Sequence, residues 1–242
     1  MWDTTKDYRL LIAEKSIDLF IKTVGGGSFK GRWNKKMAIE SADSMNSDFH
    51  SLTYSYLDSE NLANSQEIVN LEKKANLVIE YLGGDDWAHQ FINQTPKEEK
   101  EKVEESIAKA RFFIDTILGL KRRILFGPIV DPIVAIDIYV GEIMSVTKHP
   151  QSDTLMICNV NLGKRAIKVV TNDLTVKDGN KVAISMLPPE TFRGITSEGM
   201  FLGFGEGILK DVDGELGSLP KGIPLEALNE SRNLIENFLI KG

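Results

Sequence analysis

Phe126-Gly127-Pro128-Ile129-Val130-Asp131-Pro132 separates two stretches written in different patterns. Its glycine and two prolines stop any helix arriving through Lys121-Arg122-Arg123, because proline lacks an amide hydrogen and restricts the residue before it. Upstream, from Thr4 to Arg123, apolar residues recur three or four apart, the rhythm of helices that bury one stripe. Downstream, valine, isoleucine and threonine alternate with glycine-bearing turns, the rhythm of short strands. The expected fold class is therefore α+β and multidomain: an all-helical bundle over residues 1–127, then a small β-barrel with a C-terminal helix over 128–242. A chain of 242 residues is long enough for two modest cores.

In the first half, Tyr8, Leu11, Ile12, Leu19 and Phe20 give an apolar face to a helix from about Thr5 to Thr23, which Gly25-Gly26-Gly27 ends. Trp33, Met37, Met45, Phe49, Leu52 and Tyr56 place a second helix over Trp33 to Tyr56. Ile68, Leu71, Ala75, Val78, Ile79 and Leu82 form the clearest stripe, stopped by Gly83-Gly84. Thr95-Pro96-Lys97-Glu98 reads as a capping box opening a fourth helix, whose seam is Val103, Ile107, Ala110, Ile114 and Ile117. That seam suits packing inside an intramolecular bundle, with a dimeric coiled coil as the other use of the same periodicity.

In the second half, strands are expected at about Ile133 to Thr147, Leu155 to Asn161, Ala166 to Thr171, Lys181 to Met186 and Met200 to Gly203, with Leu162-Gly163-Lys164-Arg165 as a turn. Five short strands suit a small barrel. Leu225, Leu228, Leu234, Ile235, Phe238 and Leu239 mark a helix from Pro224 to Leu239 that covers an open edge or end.

Composition narrows the function classes. One cysteine, Cys158, and three scattered histidines, His50, His89 and His149, offer no structural metal site, so no metal and no cofactor is expected. No apolar run is long enough for a spanning helix and Met1-Trp2-Asp3 does not begin an export signal, so no membrane partner and a cytoplasmic location are expected. The net charge of -6 is opposite to the footprint of tight, non-specific nucleic-acid binders. A polyanion would have to be gripped by a local basic face, with modest and salt-sensitive affinity.

Ordered blocks in the second half are more specific. Val140-Gly141-Glu142-Ile143 leads into Lys148-His149-Pro150-x-x-Asp153-x-Leu155. Asn159-Val160-Asn161-Leu162-Gly163 and Val169-Val170-Thr171-Asn172 follow, then Val176 to Val182 around Gly179. Last comes Phe192-Arg193-Gly194-Ile195-Thr196-Ser197-Glu198-Gly199-Met200-Phe201-Leu202. From about Ile136 to Gly222 these blocks resemble the tRNA-binding domains attached to methionyl-tRNA synthetases, to synthetase-associated cofactors and to the beta subunit of bacterial phenylalanyl-tRNA synthetase. The resemblance implies an OB-fold barrel, tRNA as ligand, no catalysis, and service to an aminoacyl-tRNA synthetase as an auxiliary factor. It also carries Ser197 and Met200 over as RNA-facing residues and leaves a homodimer open.

The residues themselves point the same way. Lys148, Lys164, Arg165, Lys168 and Arg193 are barrel cations suited to phosphates, which position RNA without reading its sequence. Arg193 beside the glycine-rich turn can fork onto a phosphate. Few aromatics are available for stacking, which favours folded RNA over single strands. Pro188-Pro189-Glu190 departs from the more basic approach of many relatives, and the acidic loop Asp211-Val212-Asp213-Gly214-Glu215 suits the phenylalanyl-synthetase version.

Enzymatic readings are weaker. Gly25 to Gly31 lacks phosphate-loop spacing and follows a helix; Ser197 lies in a segment one residue too long for a nucleophile elbow; His149 and Asp153 suit a structural hydrogen bond. Glu40, Asp43, Asp48 and His50 share one helix side only in part, as a solvated polar face would. Two rivals therefore remain: a protein-interaction or chaperone-like module using the barrel, and an enzyme acting on charged tRNA.

Overall fold

The computed structural model describes residues 2–205 and 207–240. Its contacts form two compact units, the first taking in the chain up to Ala135 together with the residues from Leu239 onward, and the second running Ile136–Phe238. The division falls a few residues beyond Gly127, after a 3-10 turn over Pro132–Ala135.

In the first unit, α1 (Tyr8–Gly25) is capped by Asp7, whose side chain accepts from the Arg9 amide, and stops at glycines of which Gly27 has φ +75°. The expected helix over Trp33 to Tyr56 is instead two, α2 (Lys35–Asp43) and α3 (Met45–Thr53). They part at Ser44, one of three serines, Ser44, Ser47 and Ser51, whose hydroxyls bond back to helix carbonyls three or four residues earlier and loosen the ladder. α4 (Ser59–Ala63) follows, then α5 (Gln66–Leu82), which buries Ile68, Leu71, Ala75, Val78 and Leu82 and ends at Gly83 with φ +126°. α6 (Trp87–Gln94), α7 (Lys100–Leu118) and α8 (Leu120–Ile124) complete the bundle. The seam of α7 is buried, and its Phe113 stacks on Phe20 of α1 at 4.6 Å between ring centroids.

The capping box does not form. Thr95 is buried and its hydroxyl donates to Phe91 O, 2.6 Å back along α6, so it closes the preceding helix. Pro96 stands at the N-cap of a 3-10 turn over Lys97–Glu99 without a side-chain cap bond.

The second unit is a curled antiparallel sheet closed by a C-terminal helix. β1 (Ile138–Lys148), β2 (Met156–Asn161), β3 (Ala166–Thr171), β4 (Lys181–Ser185), the hairpin β5 (Glu190–Phe192) and β6 (Ile195–Ser197), β7 (Met200–Phe201), and the hairpin β8 (Gly203–Phe204) and β9 (Gly207–Ile208) follow one another. The main sheet has the order β3-β2-β1-β4-β7. β1 starts later than expected because Pro132–Ala135 forms the 3-10 turn, and its register shifts between Ile143 and Ser145, a bulge that bends the strand. Ile143, Cys158, Val160, Ile167, Val169, Val182 and Ile184 fill the interior. Gly141 is required there, since a Cβ would stand 2.6 Å from Ile184 Cδ1 and 2.7 Å from Val160 Cγ1. α9 (Asn229–Ile240) docks through buried Ser231 and Ile235, with the Ser231 hydroxyl donating to Ser185 Oγ at 2.9 Å.

Cys158 is fully buried in this core, and its thiol is pushed up to about 12 by burial first, with Asp178 and Asp173 adding to the rise. A folded-state value above the unfolded one means that the barrel keeps this stability below the unfolded thiol's range and loses it as pH climbs toward 12. Native protein at pH 8 is expected to react with a maleimide roughly a thousandfold more slowly than unfolded chain. Mass spectrometry of the labelled protein checks this, and rapid labelling without denaturant would refute the buried assignment.

Candidate functional site

The basic residues expected to converge are distributed along the sheet. Lys148 closes β1, opposite Met156, while Lys164 and Arg165 occupy the turn after Asn161 at the other end of β2. Five strand steps separate these ends, roughly 17 Å. Lys168 lies between them. It pairs with Asn159, which pairs with Ser145 and donates to its Oγ at 2.9 Å, making one polar row across the outward face of β1, β2 and β3.

The end bearing Lys148 is built most carefully. Phe192 pairs with Ile195 across a two-residue loop, Arg193-Gly194, in which φ is +46° and +87°. Two positive φ values are the pattern of a tight hairpin turn whose twist matches its strands, and they put Arg193 at the tip. Buried His149 fixes that tip to the turn after β1: its Nε2 donates to Phe192 O at 2.9 Å, while its Nδ1 accepts from the Gln151 amide at 3.1 Å. These bonds define a neutral ring with the proton on Nε2. Arg193 Nη1 in turn donates to Gln151 O. Lys148, the Gln151 turn and Arg193 thus form one braced, exposed basic corner, whose segments also carry the carboxylates Asp153 and Glu190.

The opposite end is less favourable to an anion. Arg165 is held by Glu198 at 2.8 Å, with only 28% and 13% of the two side chains exposed. The 162–165 turn packs on Leu216 and Gly217, where a Cβ on Gly217 would stand 2.4 Å from Leu162 O. That contact seats Leu216 and Gly217, which follow Glu215, on Leu162 and Gly163 of the turn that carries Lys164 and Arg165.

Ser197 is buried, not RNA-facing. Its hydroxyl donates to Gly199 O at 2.8 Å and accepts from the Val170 amide at 2.9 Å, while the Glu198 amide donates to Lys168 O at 2.9 Å. The segment therefore seals the free edge of β3. Met200 is half-buried and pairs with Ser185 in β7–β4. Gly199 lies against Ser185, where a Cβ would come within 2.6 Å of Ser185 O. The Ser-x-Gly-Met signature closes the barrel, and it is Arg193 just before it that reaches the surface. His149 was expected to bond Asp153; its partners are Phe192 and Gln151, contacts that only the fold creates.

Among the described residues no group of three or more His, Cys, Asp or Glu side chains is placed to hold a metal, and no helix is long and apolar enough to cross a membrane. Residues 1–127 match the family described as "Alpha helical domain", and residues 138–226 match the one described as "Putative tRNA binding domain". The chain belongs to the alpha helical domain family and carries a tRNA-binding domain. Over 70 residues it is 41% identical to the phenylalanine--tRNA ligase beta subunit of Moorella thermoacetica, which is 25% of this chain and 9% of the subunit. Over 90 residues it is 31% identical to "Putative tRNA-binding protein YtpR" of Bacillus subtilis, covering 33% of this chain and 45% of that protein. The chain therefore spans less than half the length of these curated relatives. A MetRS related protein from Pyrococcus horikoshii aligns with 35% of this chain and 88% of its own at 21% identity and a TM-score of 0.32. The tRNA-binding domain extends from the start of β1 to the 3-10 turn before α9, so the basic corner, the polar row and the sealing segment all lie inside it.

Proposed function

We propose that this protein binds folded tRNA without catalysing a reaction and hands it to an aminoacyl-tRNA synthetase in the cytoplasm. The observation that carries the reading is the braced corner of Lys148 and Arg193 inside the tRNA-binding domain. Lys148, Lys168 and Arg193 contact phosphates, Lys164 and Arg165 extend the contact along the sheet, and Ser197 and Met200 hold the surface in shape from beneath. Arg193, already held by Gln151 O, loses little freedom on binding. Tethered to a synthetase, such affinity raises the local tRNA concentration around the enzyme.

Electrophoretic shift of folded tRNA tests this. The three barrel contacts alone contribute about -2 to -3 to the slope of log affinity against log salt, so raising salt from 50 to 200 mM should weaken binding at least ~16-fold. Arg193→Ala should weaken it about tenfold, and Arg193→Lys less, since the charge stays but the fork is lost. Absence of a shift at low salt would reject the reading. A protein partner recovered after ribonuclease treatment, with no RNA bound, would favour the interaction module instead.

A further inference from the structure

The connection between α1 and α2 is the most cationic stretch of the chain. From Leu19 to Ile39 it holds Lys22, Lys30, Arg32, Lys35 and Lys36 and no carboxylate, so against a chain total of -6 the remaining residues carry -11. The stretch is ordered. Buried Phe29 stacks on Phe91 at 4.3 Å and meets the edges of Trp33 and Trp87 at 5.8 and 6.0 Å. The Asn34 amide donates to Tyr81 O at 2.9 Å, Lys35 Nζ donates to Gly25 O at 3.0 Å, and Gly31, with φ +102°, lies against the Gln94 side chain. This aromatic anchor orders the backbone of the ridge that carries the outer cations.

Few of those charges are neutralised. Lys30 pairs with Glu99 at 2.7 Å and Lys36 with Glu40 at 3.7 Å, all four side chains at least 44% exposed. Exposed pairs of this kind are weak and yield readily to a phosphate. Lys22 and Arg32 are exposed and make no ion pair among the described residues. The rings of Phe29 and Trp33 are turned inward, which removes base stacking, and Met37 is the one large apolar side chain of the stretch that is exposed, which argues against a membrane surface. Cations without stacking rings or an apolar face suit the backbone of folded RNA.

We infer that the helical unit is a second RNA-contacting surface, in which Lys22, Arg32 and Lys36 hold phosphates of folded RNA. The inference rests on the reading that folded tRNA is the ligand, and it gives the helical unit a share of the affinity. The test uses the full chain and folded tRNA across a salt series, with fluorescence anisotropy as readout. Four proteins are compared: wild type, the barrel variant Lys148→Ala/Arg193→Ala, the ridge variant Lys22→Gln/Arg32→Gln/Lys36→Gln, and the variant that combines both sets. The ridge variant should bind at least tenfold more weakly at 50 mM salt, with a slope shallower by about 2 to 3. The barrel variant should keep residual salt-dependent binding that the added ridge substitutions remove. Wild-type affinity and slope in the ridge variant overturn the inference, whatever the barrel variant does. Loss in the ridge variant with none in the barrel variant sustains the ridge and rejects the Lys148 and Arg193 assignment. No binding by wild type at low salt overturns both.

Discussion

Asp7→Ala is expected to destabilise the helical unit by about 3–5 kcal/mol, the range for stranding a buried charge. Arg9 is fully buried, and Asp7 grips it twice, Nε to Oδ1 at 2.9 Å and Nη2 to Oδ2 at 2.7 Å. The remaining Nη1 donates to Arg123 O at 2.7 Å at the end of α8, and Trp2 lies 4.9 Å from the guanidinium. Arg123 is itself buried and donates to Thr116 O. Helix-end carbonyls carry only partial negative charge, so removing the carboxylate leaves Arg9 with far less compensation. Asp7 also accepts the Arg9 amide as the cap of α1, and Asp7→Asn separates the two roles because it keeps an accepting oxygen and loses the charge. Urea unfolding followed by circular dichroism measures the loss. A shift below about 1 kcal/mol would mean that the cluster is solvated in solution.

Gly199→Ala should loosen the closure of the barrel. The new methyl would approach Ser185 O to 2.6 Å and Ile184 Cγ2 to 3.0 Å, both on β4, where backbone cannot swing away. Relief requires β7 to part from β4, at a cost of about 1–3 kcal/mol. The same displacement pulls on Ser197, which holds the β3 edge, so tRNA affinity should fall although no contacting cation has changed. Faster labelling of Cys158 in native protein would report the opening. Unchanged labelling together with unchanged affinity would show that β7 is not needed to close the sheet.

Much of the fold was legible because periodicity is a local property: the α5 stripe, the α7 seam and the Gly83 stop are all present in their own residues. Short helices were not. α4 and α8 have five residues each, too few for a repeat to declare itself. Thr95 carried the chemistry of a helix start, but a hydroxyl can bond in either direction along the chain, and its burial against α6 decided which. The β5–β6 hairpin was hidden because arginine occupies a turn position where asparagine is the usual signal.

The candidate site was legible in kind and not in arrangement. Lys148 and Arg193 were found as basic residues of a familiar pattern, yet 45 positions separate them, and the bonds from His149 to Phe192 and from Arg193 to Gln151 bring their segments together. Arg165 and Lys164 looked equivalent to them in sequence. Glu198 sets Arg165 apart, through an ion pair between residues distant in the chain. Ser197 was carried over as RNA-facing from the family resemblance, and its burial follows from the need to satisfy the open edge of β3.

The aromatic anchor under the α1–α2 connection has a practical corollary. Tryptophan occurs at positions 2, 33 and 87 only, all in the first unit, so the barrel contributes no indole emission. Trp33 adjoins Arg32 and meets Phe29 and Phe91 edge-on, which makes its emission sensitive to whatever settles on the neighbouring guanidinium. The protein therefore carries an unlabelled optical gauge on one half of the molecule, and occupancy there can be followed separately from occupancy of the other half.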